Sequence, residues 1–196
     1  MSVSHVNRQG KTYFLQQSQT KTGAITYSFT TKLKKTPVDT MPDGFEIYER
    51  PETGQVYLRK PNSSSILPIE KELAERALRQ DFKYANCVDV QNDSLVIYVA
   101  GGSEIDDDPM INYLVDEWLG ESRRQEIKQR LRNMRPLVKM LRLTLTDKHE
   151  RLFRVERCCF RGSIDDWIDL EYGLSLPMAI GLYFKHLEQE SFFELI

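Results

Sequence analysis

The stretch LVKMLRLTLTDKHERLFRVERCCFRGSIDDWIDLE, residues 137–171, decides the fold. Leu141, Leu143 and Leu145 alternate with Arg142, Thr144 and Thr146, while Phe153, Val155 and Cys159 share one side of a returning arm. Alternation at period two marks a strand with one apolar face, because successive side chains of an extended chain point to opposite sides. Asp147-Lys-His-Glu150 between the arms is polar and reads as a turn, so the two arms predict an antiparallel hairpin.

Upstream, residues 84–90 and 95–100 repeat the alternation around Gln91-Asn-Asp-Ser94 and predict another hairpin. Between the hairpins, Ile111, Leu114, Val115, Trp118 and Leu119 recur at helical spacing after Asp108-Pro109. An aspartate suits the N-cap there, and proline at the first helical position gives up an N–H that has no partner anyway. The stripe fails at Gly120. Ser122 with Gln125 forms a capping box, which predicts a break and a second helical piece using Ile127, Leu131 and Met134, ended by Arg135-Pro136. Strand, strand, helix, strand, strand favours an antiparallel sheet with helices packed on one face, an α+β fold. A helix over 68–81 with Ile69, Leu73, Ala77 and Leu78 on its stripe precedes this core. A last helix over about 177–189 turns Ile180, Tyr183, Phe184 and Leu187 inward, and Phe192-Phe-Glu-Leu-Ile196 reads as folding back over the sheet.

The N-terminal part has another character. Residues 12–16 and 24–31 are rich in Tyr, Phe, Ile and Thr around a polar segment ending in Gly23, which predicts a hairpin whose second arm continues through 32–37 as a basic edge. Residues 45–50 and 55–60 form a second hairpin across Pro51-Glu-Thr-Gly54, making four short strands of one small sheet. Pro61-Asn-Ser-Ser-Ser65 is a linker. The expected organisation is a basic β-hairpin module over 1–62 and an α+β domain with a central antiparallel sheet over 66–196.

The 196 residues, 40% apolar and 10% aromatic, exclude wholesale disorder. The formal net charge of −2 hides an uneven distribution. Residues 1–38 hold six cations and no acid; of the 27 basic side chains this leaves 21 against all 29 acids in the rest. Cys87, Cys158 and Cys159 make no C-x-x-C pair, no apolar core of a signal peptide follows the first residues, and no run reaches the ~18 apolar residues of a span. These features point to a reduced, soluble, cytoplasmic protein without a membrane partner.

Two constellations carry chemistry. Asp165, Asp166, Asp169 and Glu171 form the most compact group of acids. If Ser163 caps a helix opening at Ile164, Asp165 and Asp169 stand at i, i+4 and can reach one hard cation, which is the basis of an alternative reading as a metal-dependent hydrolase. Acids in a first helical turn are equally what the helix dipole favours, and this structural reading is preferred. Gly101-Gly-Ser103 lacks the lysine of a phosphate loop and is no nucleophile elbow, the acids at 104–108 lack the glycine and distal glutamate of a calcium loop, and His5, His149 and His186 have no zinc spacing. No cofactor or metal is expected, and the balance leans against an enzyme. The second constellation is basic: Lys11, Lys21, Lys32, Lys34 and Lys35, interleaved with Tyr13 and Tyr27, combine attraction for phosphate with rings on which bases stack. The leading expectation is a non-catalytic binding or interaction protein that contacts another protein or nucleic acid through this module.

Overall fold

The computed structural model describes residues 2–32, 36–81, 86–100, 113, 121–161, 164–187 and 189–195. The helix expected after Asp108-Pro109 and its break at Gly120 fall outside the described residues, apart from the helical Tyr113. The strands are β1 (Ser4–Val6), β2 (Thr12–Gln19), β3 (Ile25–Thr30), β4 (Glu46–Glu49), β5 (Val56–Arg59), β6 (Asn86–Gln91), β7 (Ser94–Ala100), β8 (Leu137–Asp147), β9 (Leu152–Arg161) and β10 (Ile164–Ser175). The helices are α1 (Pro68–Asp81), α2 (Glu121–Met134) and α3 (Leu176–Tyr183). Among the described residues three sheets form, all antiparallel, with strand orders β1-β2-β3, β4-β5 and β10-β9-β8-β7-β6, so the chain is α+β with an N-terminal all-β part.

Two compact units emerge: residues 1–61 with 103–136, and residues 62–102 with 137–196. This grouping differs from consecutive domains over 1–62 and 66–196, because 103–136 belongs with the first unit. One cause is visible at Arg8. Its guanidinium donates to the Asn133 and Arg135 carbonyls at 2.7 and 2.8 Å, satisfying acceptors that the end of α2 leaves open, and to the Pro51 carbonyl at 3.0 Å. A cation at a helix C-terminus also suits the dipole.

In the first unit the expected four-stranded sheet is instead a three-stranded sheet and a separate hairpin. Ser4–Val6 supplies a strand that its polar composition did not signal, pairing with β2 at Ser4↔Phe14 and Val6↔Thr12. β3 ends at Thr30, short of Lys32, and Pro37 bridges to Gln16 on the opposite edge of β2. Leu15, Phe29 and Val56 form the core of this unit, with Tyr13, Tyr27, Ile47 and Leu58 packed around them. Asn7 anchors the turn after β1 by donating to the Gly54 carbonyl at 2.6 Å and accepting from the Lys11 N–H at 2.8 Å. Of the apolar residues expected to bury α2, Ile127 and Leu131 are half-buried and Met134 is exposed.

In the second unit β7 is the middle of the core. Leu95 through Val99 are all buried, so this strand is covered on both faces, and its sequence is a continuous apolar run for that reason. Leu141, Leu143, Leu145, Phe153 and Val155 meet Ala74 and Leu78 of α1, Leu176 and Ala179 of α3, and Phe184, Leu187 and Phe192 in one cluster. On α1 the buried apolar residues among those described are Ala74 and Leu78, whereas Ile69, expected on the stripe, is 61% exposed. Glu70 accounts for the offset, since its carboxylate turns back to accept the Leu67 N–H at 2.8 Å and receives Arg151 Nε at 2.9 Å. The last helix stops at Tyr183 and passes into 3-10 turns at Phe184–His186 and Glu190–Glu194; the second places Phe192 in the core and leaves Phe193 exposed.

The largest departure concerns 164–175. No helix opens at Ile164; the segment is a fifth strand, paired with β9 from Ile164↔Arg161 to Ser175↔Leu152. Irregularities between Asp169 and Glu171 and between Glu171 and Leu174, with Gly173 at φ +73°, break the alternation by which a strand is read from sequence. Sheet pairing along twelve residues outweighs a helix-start signal worth little more than a cap.

Candidate functional site

The basic surface of the first unit rests on the β2–β3 hairpin. Leu15 lies opposite Phe29 and Gln17 opposite Tyr27, so Tyr13, Leu15, Tyr27 and Phe29 share the inner face. Both tyrosines are half-buried against the core, and the Tyr27 ring meets Phe45 with centroids 6.4 Å apart. The rings proposed for base stacking are therefore committed to packing. The outer face carries Thr12, Phe14, Ser18, Thr26, Ser28 and Thr30, with Ser18 and Thr26 hydroxyls bonded across the strands at 2.8 Å. Lys11, Lys21 and Lys32 are exposed at the margins of this hairpin, and none has an acidic partner among the described residues. Lys34 and Lys35 lie outside the described residues. Beside α2, a polar groove of about 400 Å³ is lined by Asn7, Gln9, Gln129, Arg130 and Asn133, among others.

The carboxylates of Asp166, Asp169 and Glu171 on β10 are dispersed. Asp166 is exposed and accepts the N–H of its neighbour Trp167 at 2.8 Å. Asp169 pairs with Arg154, and Glu171 accepts the Tyr183 hydroxyl of α3 at 2.9 Å. Asp165 stands opposite Phe160 in the ladder. Among the described residues no group of three or more His, Cys, Asp or Glu side chains could hold a metal ion, and the first-turn cluster that motivated a cation site disappears with the helix. Hydrogen bonding by Tyr172, reinforced by Arg154, holds the Asp169 carboxyl below the usual range. Burial and the bond to Glu171 push the Tyr183 hydroxyl up to about 12.

What the strand arrangement does assemble is a row of charges across β8, β9 and β10, where Arg142 lies opposite Glu156 and Glu156 opposite Asp169. Arg142 donates twice to the Glu156 carboxylate, both at 2.6 Å, while Arg154 approaches it at 3.3 Å and pairs with Asp169. Thr144 donates to Glu156 at 3.3 Å and meets Ser94 at 2.9 Å. The Arg142 guanidinium lies 4.4 Å from the centre of the Trp167 ring, and that of Arg154 5.2 Å from Tyr172. The Glu156 side chain is 2% exposed, so its charge is tolerable only because two cations share it. Nothing in the sequence flagged Glu156 beyond a charge on the polar side of an alternating strand. Its partners Arg142 and Thr144 come from β8 and Arg154 from its own strand, β9.

A further exposed surface lies on α3, which has no charged residue and leaves Met178 57% and Leu182 43% exposed. Among the described residues no helix is long and apolar enough to cross a membrane, and none of the three cysteines is in a disulfide. No protein-family model, curated protein or solved structure matches this chain.

Proposed function

We propose that this chain is a non-catalytic binding protein that takes an acidic partner on the basic β2–β3 surface of its first unit. One observation carries the reading: Lys11, Lys21 and Lys32 are exposed and have no acidic partner among the described residues, whereas Arg142 and Arg154 of the five-stranded sheet are held in ion pairs. Uncompensated charge of one sign attracts a partner of opposite sign and costs little while it is exposed to water. The alternative of a metal-dependent hydrolase finds less support, because Asp169 and Glu171 are engaged by Arg154 and Tyr183 rather than aimed at a common point.

The test is fluorescence anisotropy of the full chain with two labelled acidic probes, polyglutamate and a single-stranded oligonucleotide, at low and high salt. Binding at low salt that weakens with salt and disappears in Lys11→Glu/Lys21→Glu/Lys32→Glu is the expected result. Failure to bind either probe at low salt, or binding indifferent to the triple reversal, overturns the reading.

A further inference from the structure

We propose that the free edge of β3 is the place where the partner docks, and that the partner is an extended acidic polypeptide segment added to the β1-β2-β3 sheet as another strand. This rests on the binding reading above and names the class of partner.

The hairpin ladder fixes which backbone groups are available. Thr20 N–H donates to the Ala24 carbonyl at 2.8 Å, closing the turn and setting the alternation. In an antiparallel pair, bonded and non-bonded couples alternate, so 26, 28 and 30 exchange bonds with 18, 16 and 14. Ile25, Tyr27 and Phe29 then direct their N–H and C=O groups away from β2. On β2 the equivalent outward groups are used: Leu15 N–H donates to the Val3 carbonyl at 2.9 Å, and the Leu15 carbonyl accepts the Val38 N–H at 3.1 Å. The outward groups of β3 have no such partner among the described residues. Phe29 is buried beside Val56, so the edge is open at its Ile25 end, where Ile25 is 56% exposed and Tyr27 follows.

This edge is also unguarded. Natural sheets blunt an edge with lysine, proline or a bulge, because a regular row of unpaired N–H and C=O groups templates another strand. Ile25-Thr-Tyr-Ser-Phe-Thr30 has no charge and no proline, and its pairing with β2 runs without a shift of register. An incoming strand meets alternate residues at a spacing of about 6.8 Å and takes affinity from main-chain bonds.

Charge selects the occupant. Lys21 and Lys32 bracket β3 in sequence, one before its start and one after its end, and no acid occurs anywhere in residues 1–38. A segment carrying carboxylates at its ends complements them. A second copy pairing antiparallel through β3 sets Lys21 of one chain toward Lys32 of the other, a like-charge arrangement that disfavours self-association. Nucleic acid answers the lysines and has no use for the edge.

The experiment uses the full chain and a labelled peptide, Asp-Asp-Thr-Val-Thr-Val-Thr-Asp-Asp, followed by anisotropy and by amide hydrogen exchange. The expected results are binding of the acidic peptide and none of a counterpart with Lys in place of Asp. N-methylation of one alternate set of peptide amides should abolish binding, while methylation of the other set spares it. Ile25→Pro should weaken binding by about fivefold or more, because it deletes an outward N–H without touching the β2 ladder. The amides of Ile25 and Tyr27 should gain exchange protection; if Ile25→Pro does not fold, this readout and the methylation pattern decide. Peptide binding without protection at those amides, or equal loss with both methylation sets, overturns the edge. Oligonucleotide binding that is lost on lysine reversal, with no peptide binding, overturns this inference and leaves the binding reading standing. A dimer that Ile25→Pro dissociates replaces the acidic segment with a second copy. No binding of either probe removes both proposals.

Discussion

The row of charges on the five-stranded sheet and the basic hairpin of the first unit use the same kinds of side chain to opposite ends. On the sheet, Arg142, Glu156, Arg154 and Asp169 are arranged by strand register so that each charge lies beside its opposite. On the hairpin, Lys11, Lys21 and Lys32 have no acidic partner among the described residues. Matched charge beneath a surface stabilises and specifies strand pairing; unmatched charge on a surface contributes little to stability and remains available to a partner. A cluster of acids on one strand is therefore poor support for catalysis until the neighbouring strands are known.

The contrast is broken most severely at Arg142. Arg142→Met should destabilise the fold by about 3 kcal/mol, since it leaves the buried Glu156 carboxylate with a single cation at 3.3 Å. Glu156→Leu should cost clearly less, because Arg142 and Arg154 are about a third exposed and can turn to water. Chemical denaturation of the two variants checks the asymmetry, and equal losses would mean that packing dominates over charge.

Next comes a glycine of the first unit. Gly54 sits at φ +66° and a Cβ there would approach Asn7 Nδ2 to 3.0 Å and Gln9 Cδ to 3.2 Å. Gly54→Ala should cost about 1–3 kcal/mol, visible as a lower denaturation midpoint, because a left-handed backbone is strained for any L side chain and the Asn7 anchor must shift as well.

A smaller effect appears in the pH dependence. The N–H groups of Glu150 and His149 lower the Asp147 carboxyl below its ordinary value, and Ser65 N–H with Lys148 does the same for Asp93. A depressed carboxyl stabilises the fold above its unfolded value of about 4, and this contribution is lost as pH falls through the lower folded value. Asp147→Asn should flatten the loss of stability below about pH 4 while leaving the neutral end of the profile nearly parallel to the unmodified chain. Thermal unfolding across pH 2–7 would show it; an unchanged acid limb would mean that other carboxyls govern it.

The smallest expected change in stability accompanies the largest change in binding. Lys11→Glu, Lys21→Glu and Lys32→Glu should each alter unfolding free energy by less than about 0.5 kcal/mol, since these side chains are exposed and touch no charge partner among the described residues. A loss of several times that amount would place the lysines on the structural side of the comparison.

Sequence by itself determined the strands whose alternation is unbroken and the helix with clear ends. Leu141, Leu143 and Leu145 alternate cleanly and are buried in β8; Pro68 opens α1; Arg135-Pro136 closes α2. The uneven charge was also legible, because it needs only counting. Tertiary structure alone decided the rest. β10 carries two irregularities that scramble its period, so its local acids suggested a helix start until pairing with β9 is seen. Tyr13 and Tyr27 alternate as either face of a strand would, and only the packing of Val56 beside Leu15 and Phe29 says which face is inside. Glu156 and its arginines meet because β8 and β9 lie in register, and the outward groups of Ile25 and Tyr27 have no backbone partner among the described residues because Val3 and Val38 meet the other edge of the sheet, on β2. Period and composition are properties of a segment, whereas a partner across a sheet, or the lack of one, is a property of the assembled chain.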